Sequence, residues 1–306
     1  MVLWASMIPI IPHSRLWFLL SGSLFVLGVV FIIYPGLKLG LDFTGGTLLE
    51  MKFDGAVEEA NLHDTFAAFG QEANVDLGQL SVLRTTGGSF IIRSKVMTNE
   101  QHVALQEYLK MQLGSFTEKR FTTIGPTVGH TLKVRSLWAL FIASLLMVLF
   151  ITFAFRNIPR KLSPWKFGII AVVALLHDIT ITVGVFAFLG AFTTFEVSTL
   201  FITALLVVLG YSVHDTIVIF DRVRENVHER QRNEPFPVTA ERSLQETIVR
   251  SFNTSFATLL PLFALFFFGG ESIKWFVLAL IVGIILGTYS SIFLATPLLV
   301  VWKKER

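Results

Sequence analysis

Six long apolar runs constrain this chain more than any other feature of its sequence. A helix needs roughly 20 mostly apolar residues to cross the ~30 Å hydrocarbon core of a bilayer, because each residue rises ~1.5 Å. The runs that meet or approach this length lie at residues 16–34, 137–155, 167–189, 195–220, 252–268 and 275–301. With 53% hydrophobic and 15% charged residues among 306, the chain is predicted to be a polytopic α-helical membrane protein with six transmembrane helices.

The first run is predicted to be a retained helix. It is too long for the core of a signal peptide, and no small-x-small cleavage site follows it. It ends at Pro35-Gly36, which is a helix stop signal. The short stretch at residues 4–11 ahead of it is broken by proline and is expected to lie in the membrane interface.

Between the first and second runs, residues 37–132 have the composition of a soluble α+β domain. Gly87-Gly88 is a hairpin signal, since glycine reaches positive φ without steric cost. The predicted order of strand, helix, strand, strand, helix, strand is that of a ferredoxin-like βαββαβ domain. The strands are predicted at 47–53, 80–85, 90–94 and 116–124, and the helices at 57–69 and 99–113, the second capped by Thr98 or Asn99.

Basic residues predict which side of the membrane each loop faces. They cluster in alternate loops, at His13, Arg15, Arg156, Arg160, Lys161, Lys166, Lys303, Lys304 and Arg306, and between Arg222 and Arg250. The loops at 190–196 and 269–274 carry little positive charge. Both termini are therefore predicted to be cytoplasmic and the ferredoxin-like domain extracytoplasmic. Topology and contact with membrane lipid account for the small net charge of +3, so no nucleic-acid partner is expected.

This topology divides the chain into three parts. Residues 1–36 form the N-terminal segment and first helix, and residues 37–132 form the extracytoplasmic domain. Residues 133–306 form a bundle of the other five helices, with a cytoplasmic segment at 221–250.

Ionisable residues within the predicted helices are costly and are functional-site candidates by default. His177-Asp178 lies ~18 Å along the third helix, near the midplane, and His214-Asp215 lies ~9 Å from the polar end of the fourth. A carboxylate in a low-dielectric site can bind and release a proton in the physiological range unless a cation holds it ionised. Arg250, at the mouth of the fifth helix, is the candidate cation. The alternative is that these side chains only hydrogen-bond neighbouring helices.

Three other groups have structural interpretations. Asp221 and Arg222 follow the fourth run and are expected on a solvated cytoplasmic helix, where arginines set topology. Gly283 and Gly287 form a small-xxx-small pair that allows close helix approach. The Gly45-Gly46 pair lacks the strand and helix context of a phosphate loop and is expected to let the chain turn from membrane to domain.

Four segments are specific enough to compare with known families. Residues 40–46 read GLDFTGG, residues 210–226 read GYSVHDTIVIFDRVREN, residues 268–271 read FGGE and residues 287–293 read GTYSSIF. They resemble, in that order, the segment after the first helix, the fourth-helix signature and the last two helices of the SecF branch of the SecD/SecF protein-export family. The resemblance covers nearly the whole chain.

The resemblance implies a fold of the resistance-nodulation-division type, in which SecD supplies a second six-helix half and the pair works with the SecYEG channel. It also implies that the proton-motive force promotes late translocation and release of preproteins across the inner membrane, with protons as the coupling ion and no other cofactor. No enzymatic activity is expected.

Individual residues match the family's motifs. Asp215 and Arg250 match its proton-relay aspartate and arginine, and Asp178 with His177 matches its third-helix His-Asp pair. Asp42, Gly45, Gly46, Asp221 and Arg222 are motif residues. Many relatives carry Asn where His214 stands, so a second titratable group beside Asp215 is not a property that the resemblance implies. Glu246 lies four residues before Arg250 and can pair with it.

Other functions fit part of this pattern. Two Asp residues in adjacent helices resemble an intramembrane aspartyl protease, and two His-Asp pairs resemble a metal site. However, the chain has no His-Glu-x-x-His or Gly-x-Gly-Asp motif, and the Asp residues are offset in depth by ~9 Å. A small-molecule exporter of the same superfamily would carry both six-helix halves in one chain. The outer domain can pair its sheet edge with a polypeptide or dock on SecD, and both remain open.

Overall fold

The computed structural model describes residues 9–85, 87–156, 164–229 and 234–303. The chain folds into two compact units, one formed by Leu39–Leu137 and the other by the remaining described residues. Residues 4–8 of the predicted interfacial stretch, and the topology-setting Arg160, Lys161, Lys304 and Arg306, lie outside the described residues.

Ten α-helices and four strands follow one another along the described residues, with one π-helical segment between the last two helices. In chain order they are α1 (Ser14–Ile33), α2 (Leu41–Thr44), β1 (Gly46–Phe53), α3 (Glu59–Glu72), β2 (Ser81–Arg84), β3 (Phe90–Ser94), α4 (Asn99–Leu113), β4 (Phe116–Ile124), α5 (Pro126–Ala154), α6 (Pro164–Phe192), α7 (Thr199–Glu229), α8 (Phe236–Phe268), α9 (Glu271–Ser290), the π-helical segment (Ser291–Ala295) and α10 (Thr296–Trp302).

The Leu39–Leu137 unit has the predicted ferredoxin-like fold. Its four strands pair in the order β2-β3-β1-β4, and every pair is antiparallel. Alternate residues of β1 and β3 face α3 and α4, so that Leu49 and Ile92 are buried with Phe66 and Leu105 in one apolar core. This alternation is what places both helices on a single face of the sheet.

Most predicted boundaries in this unit are confirmed within two residues, and the C-terminal end of α3 is the exception. The chain before α3 is still extended at Glu58, so the helix begins at Glu59 and not at 57. It continues to Glu72, beyond the predicted end at 69, because Asn74 adopts a positive φ of 51° and Val75 N–H donates to the Gly70 carbonyl. That left-handed residue closes the helix as a C-terminal cap. The helix α4 begins with the predicted Thr98 cap.

The Gly45-Gly46 pair turns the chain from the unpredicted one-turn helix α2 into β1. Both glycines have positive φ, 71° and 122°. A Cβ on Gly46 would lie 2.8 Å from the Ser94 carbonyl oxygen, and one on Gly45 would lie 3.0 Å from the Pro126 Cα. Conformation and space therefore both require glycine here.

The second unit is built from the membrane helices. Within the described residues, six helices are long and apolar enough to span a bilayer, and each overlaps one of the six predicted runs. The fourth of these helices begins at Thr199, four residues after the predicted start of its run at 195. The fourth and fifth are longer than their apolar runs, since α7 continues to Glu229 and α8 starts at Phe236. Residues 221–229 and 236–250 thus extend two membrane helices. The last span includes the π-helical segment Ser291–Ala295.

The described end of the N-terminal stretch packs into the core of the helix bundle. Ile10 and Ile11 are buried. Their backbone N–H groups donate to the two carboxylate oxygens of Glu241 on α8, at 3.1 and 2.7 Å. A carboxylate that accepts two N–H groups satisfies donors that proline-broken backbone cannot pair within a helix.

Gly283 and Gly287 lie where α9 packs against α7. A Cβ on Gly283 would overlap the side chain of Val208, and one on Gly287 would lie 3.0 Å from the Ser212 Cα. A second close approach, not predicted, brings Gly28 of α1 against Gly184 of α6. In lipid, such contacts between small residues replace the hydrophobic driving force between helices.

We expect Gly46→Ala to destabilise the Leu39–Leu137 unit by about 2 kcal/mol, because it places a side chain at a positive φ and against the Ser94 carbonyl. The matched control is Gly55→Ala, where an added Cβ meets no atom within 4 Å. Thermal unfolding of the detergent-solubilised chain, followed by circular dichroism, measures both. Equal losses in the two variants would contradict the steric explanation.

We expect Gly283→Ala to cost about 1–3 kcal/mol, since overpacking forces α9 away from Val208. Gly210→Ala is the control on α7, because nothing lies within 4 Å of a Cβ there. The unfolding midpoint, read from tryptophan fluorescence of the solubilised chain, should fall for Gly283→Ala alone. An unchanged midpoint would show that this helix contact tolerates a methyl group.

Candidate functional site

Asp178 lies on α6 at a junction of three helices and is 1% exposed. Its Oδ2 accepts hydrogen bonds from the hydroxyls of Ser212 on α7, at 2.6 Å, and Ser290 on α9, at 2.7 Å. Its Oδ1 is 3.0 Å from Nδ1 of His177. A buried carboxylate without such donors would carry a large desolvation penalty. Asp178 is therefore held by donors from three helices.

His177 is buried beside Asp178 between two aromatic rings. Its ring stacks with Phe25 of α1 and Tyr289 of α9, with centroids 6.5 and 6.3 Å away. An ionised Asp178 only accepts hydrogen bonds, so the His177 Nδ1 must then carry the proton. Within the described part of the chain, the opposite ring nitrogen, Nε2, is buried and makes no hydrogen bond.

Asp215 lies on α7 and is 2% exposed. Its Oδ2 is 3.1 Å from the Thr288 hydroxyl of α9 and 3.5 Å from the Ser255 hydroxyl of α8. These two hydroxyls are 2.6 Å apart, and the Tyr211 hydroxyl donates to Ser255 at 3.1 Å. The Asp215 carboxylate thus contacts hydroxyl groups from α8 and α9.

The structure does not bring Arg250 to Asp215, although the sequence predicts this pair. The Arg250 side chain is exposed, as is His214. Among the described residues, the hydrogen bonds of the Asp215 carboxylate all come from hydroxyl groups. His214 directly precedes Asp215 on α7, but its side chain is exposed in this single chain. These two exposed polar side chains lie on α7 and α8, and Arg250 is two residues from the exposed Phe252.

Glu246, which the sequence also allowed to pair with Arg250, pairs with Arg222 among the described residues. Arg222 Nε donates to Glu246 Oε2 at 2.5 Å, and the Asn226 amide donates to the same oxygen at 2.8 Å. Asn226 also donates to Ser243 at 3.0 Å and is almost fully buried. The extended helix α7 places Arg222 and Asn226 beside Glu246, and the Glu246 carboxylate binds these partners.

Asp221 and Arg222 lie on a helix with exposed ion pairs, as predicted for a solvated segment. Asp221 pairs with Arg224 at 2.6 Å, and Arg222 also pairs with Glu225 at 2.6 Å. Such i,i+3 pairs contribute only a few tenths of a kcal/mol. The bridge from Arg222 to Glu246 adds a link between α7 and α8 at this end of the helices.

Four hydroxyl-bearing residues of the site were not singled out from the sequence, namely Ser212, Ser255, Thr288 and Ser290. Three of them lie within the segments at 210–226 and 287–293, whose residues were matched to a family without a role for each hydroxyl. The available signal was the residue type, because Ser and Thr in apolar helices are the residues that satisfy buried polar groups. Their partners, however, depend on which helices meet.

The two carboxylates form separate sites. Asp178 binds Ser212 and Ser290, whereas Asp215 binds Thr288 and Ser255. An aspartyl protease needs two carboxylates that share one proton, and these hydrogen bonds hold them to different partners. Each site offers one buried carboxylate with hydroxyl donors, an arrangement suited to binding and releasing a proton.

Two family models match the chain. The model described as "Protein export membrane protein SecD/SecF, C-terminal" matches residues 104–305. The model described as "SecD/SecF GG Motif" matches residues 30–57, which include Asp42 and the Gly45-Gly46 turn.

Curated relatives match over nearly the whole chain. The protein translocase subunit SecF of Thermobaculum terrenum is 41% identical over 309 residues, which cover 98% of this chain and 95% of the relative. The SecF subunit of Sebaldella termitidis is 36% identical over 284 residues, with 93% and 88% covered. The SecDF subunit of Thermus thermophilus is 33% identical over 282 residues, which cover 91% of this chain and 36% of that protein.

A solved structure shares the fold. The crystal structure of SecDF from Thermus thermophilus, described as a translocon-associated membrane protein, superposes with a TM-score of 0.82 and 29% identity. The match covers 99% of this chain and 40% of the SecDF chain, so the present chain corresponds to part of that longer protein. The multi-pass helical chain with its ferredoxin-like domain therefore belongs to the SecF family of SecD/SecF protein-export membrane proteins.

Proposed function

We propose that this chain is an accessory subunit of the Sec translocase that works with SecD and uses the proton-motive force to promote late translocation and release of preproteins. Asp215 is the proton-binding group, and protons are the coupling ion. Asp178, with His177, is a second proton-binding group in the same helix bundle.

The observation that carries this proposal is the setting of Asp215. It is buried at membrane depth with hydroxyl partners from α8 and α9, and no described cation pairs with it. Hydroxyl donors compensate a buried negative charge only in part, and a proton removes that charge altogether. A group in this setting changes charge when a proton arrives or leaves, as a proton-coupled subunit requires.

The driving force available to such a group is substantial. A charge that crosses the full membrane potential gains roughly 2.3 kcal/mol per 100 mV. Several protons per cycle would supply enough free energy to bias a rearrangement of packed helices and of the extracytoplasmic domain.

The partner is inferred from the exposed polar residues on α7 and α8. His214 lies within the apolar run of α7 yet is exposed in the single chain, and the exposed Arg250 lies where the 236–250 extension of α8 ends at its apolar run. Polar side chains at membrane depth face protein or a water-filled cavity, so a second set of helices is expected to cover this surface. The relatives named SecDF carry more chain than this one, and SecD is the natural source. Arg250 would then meet Asp215 through a change in packing that involves SecD.

The membrane orientation is inferred from the distribution of basic residues, and the channel and substrate are inferred from the family. The basic loops place both termini in the cytoplasm and the Leu39–Leu137 unit outside the inner (plasma) membrane. The channel partner is SecYEG, and the substrate is an emerging preprotein.

Asp215→Asn tests the proposal directly, because Asn keeps the shape but cannot change charge. In proteoliposomes that contain this chain, SecD and SecYEG, the variant is expected to lose the proton-dependent part of preprotein release, about tenfold or more, while the complex stays assembled. Asp64→Asn, at an exposed carboxylate of the outer unit, is the control. Undiminished proton-driven release in Asp215→Asn would sink the proposal.

Cross-linking tests the surface assigned to SecD. The chain has no cysteine, so His214→Cys and Arg250→Cys each introduce a single attachment point for a photoactivatable maleimide. Both are expected to cross-link to SecD in native membranes, whereas Leu19→Cys, at an exposed apolar position of α1, is expected to react with lipid. Cross-links to SecD from Leu19→Cys alone would place SecD on a different surface.

A further inference from the structure

One helix supplies a hydroxyl to each of the two buried carboxylates. Thr288 and Ser290 both belong to α9, two residues apart. At 3.6 residues per turn, their side chains leave the helix about 200° apart. Thr288 therefore reaches Asp215 on α7 while Ser290 reaches Asp178 on α6. Among the described helices, only α9 offers hydroxyls to both carboxylates, since α7 carries Asp215 itself and reaches Asp178 through Ser212.

Each of these hydroxyls has both a carboxylate and a carbonyl oxygen as acceptors for its single proton. The Thr288 hydroxyl is 3.1 Å from Asp215 Oδ2 and 3.0 Å from the Ile284 carbonyl oxygen of its own helix, and it also lies 2.6 Å from the Ser255 hydroxyl. The Ser290 hydroxyl is 2.7 Å from Asp178 Oδ2 and 3.2 Å from the Gly287 carbonyl oxygen. A hydroxyl donates one hydrogen bond at a time, so each residue can donate either to its carboxylate or to a carbonyl oxygen of α9.

The charge of the carboxylate selects between those states. An ionised carboxylate only accepts hydrogen bonds and holds the hydroxyl proton, whereas a protonated one is a weaker acceptor and a donor itself. On protonation, the hydroxyl is free to donate to the carbonyl oxygen of α9. Such bonds from Ser and Thr to the preceding turn tend to bend a helix.

The backbone at this point is already irregular. The π-helical segment Ser291–Ala295 begins directly after Ser290. π-helical turns are rare, and they occur where helices adapt their hydrogen bonding. The Ser291 hydroxyl lies 2.7 Å from Thr216 and 2.8 Å from the Gly287 carbonyl, without contact to a carboxylate.

We propose that Thr288 and Ser290 are positioning residues that couple the two carboxylates. Each hydroxyl keeps its proton and switches its hydrogen-bond donation between a carboxylate and a carbonyl oxygen of α9. Protonation at one site changes the hydrogen bonding of α9 and so alters the hydroxyl offered to the other. The inference rests on the proposed function, since it assigns a role within the same proton cycle. The titratable groups facing the sites are His177 and Tyr289 beside Asp178, and His214 and Tyr211 beside Asp215.

The test uses the assembled complex with SecD and SecYEG in proteoliposomes, with preprotein release measured across a range of pH. Thr288→Val keeps the side-chain shape without the hydroxyl, and Ser290→Ala removes the other donor. Each is expected to slow proton-driven release about tenfold and to shift the midpoint of the pH profile. Thr288→Ser should restore the wild-type midpoint. Ser291→Ala removes a buried hydroxyl that binds no carboxylate and should leave the midpoint unchanged.

Infrared difference spectroscopy of the same complexes between low and high pH gives a reading that does not depend on release. The C=O band of a protonated carboxyl that is lost in Asp215→Asn should shift in Thr288→Val, and the band lost in Asp178→Asn should shift in Ser290→Ala. The coupling would be overturned if the bands or the pH midpoints were unchanged in both hydroxyl variants. It would also be overturned if Ser291→Ala changed them equally. Shifted bands together with full release by Asp215→Asn would instead support the hydroxyl assignment and reject the proposed function.

Discussion

Two carboxylates lie inside a bundle of apolar helices, and the cost of taking their charge out of water governs the polar structure of that bundle. Asp178 and Asp215 are each met by hydroxyl groups from neighbouring helices. No ion pair compensates either one in the described part of the chain, except where His177 beside Asp178 is protonated. Their charge is therefore sensitive to any proton that reaches them.

Close packing of small residues makes these contacts possible. Gly287 lies against the backbone of Ser212, and Gly283 lies against Val208, so that α9 and α7 approach closely. A larger residue at either position would separate the helices and carry Thr288 and Ser290 away from their carboxylates. The glycine pair first recognised as a packing motif thus also sets the geometry of the candidate site.

The Leu39–Leu137 unit follows a different rule, because its elements are specified by local pattern. Alternation in β1 and β3 and the Thr98 cap predicted these elements almost to the residue, since their signals depend on neighbours in the chain. The helix α3 was less predictable because it is closed by Asn74, whose left-handed backbone also depends on the bond from Val75 to Gly70. The short helix α2 has no periodic signal of its own.

By itself, the sequence determined that the chain has six membrane helices, a ferredoxin-like domain, and Asp178 and Asp215 within the helices. Hydropathy and the periodicity of apolar residues indicate these features, because each feature depends on residues close together in the chain. Only the tertiary structure decided their partners: Glu246 binds Arg222, Arg250 is exposed, and Ser212, Ser255, Thr288 and Ser290 surround the carboxylates. Such partners come from helices up to about a hundred residues apart in the chain, and their meeting depends on how the helices pack.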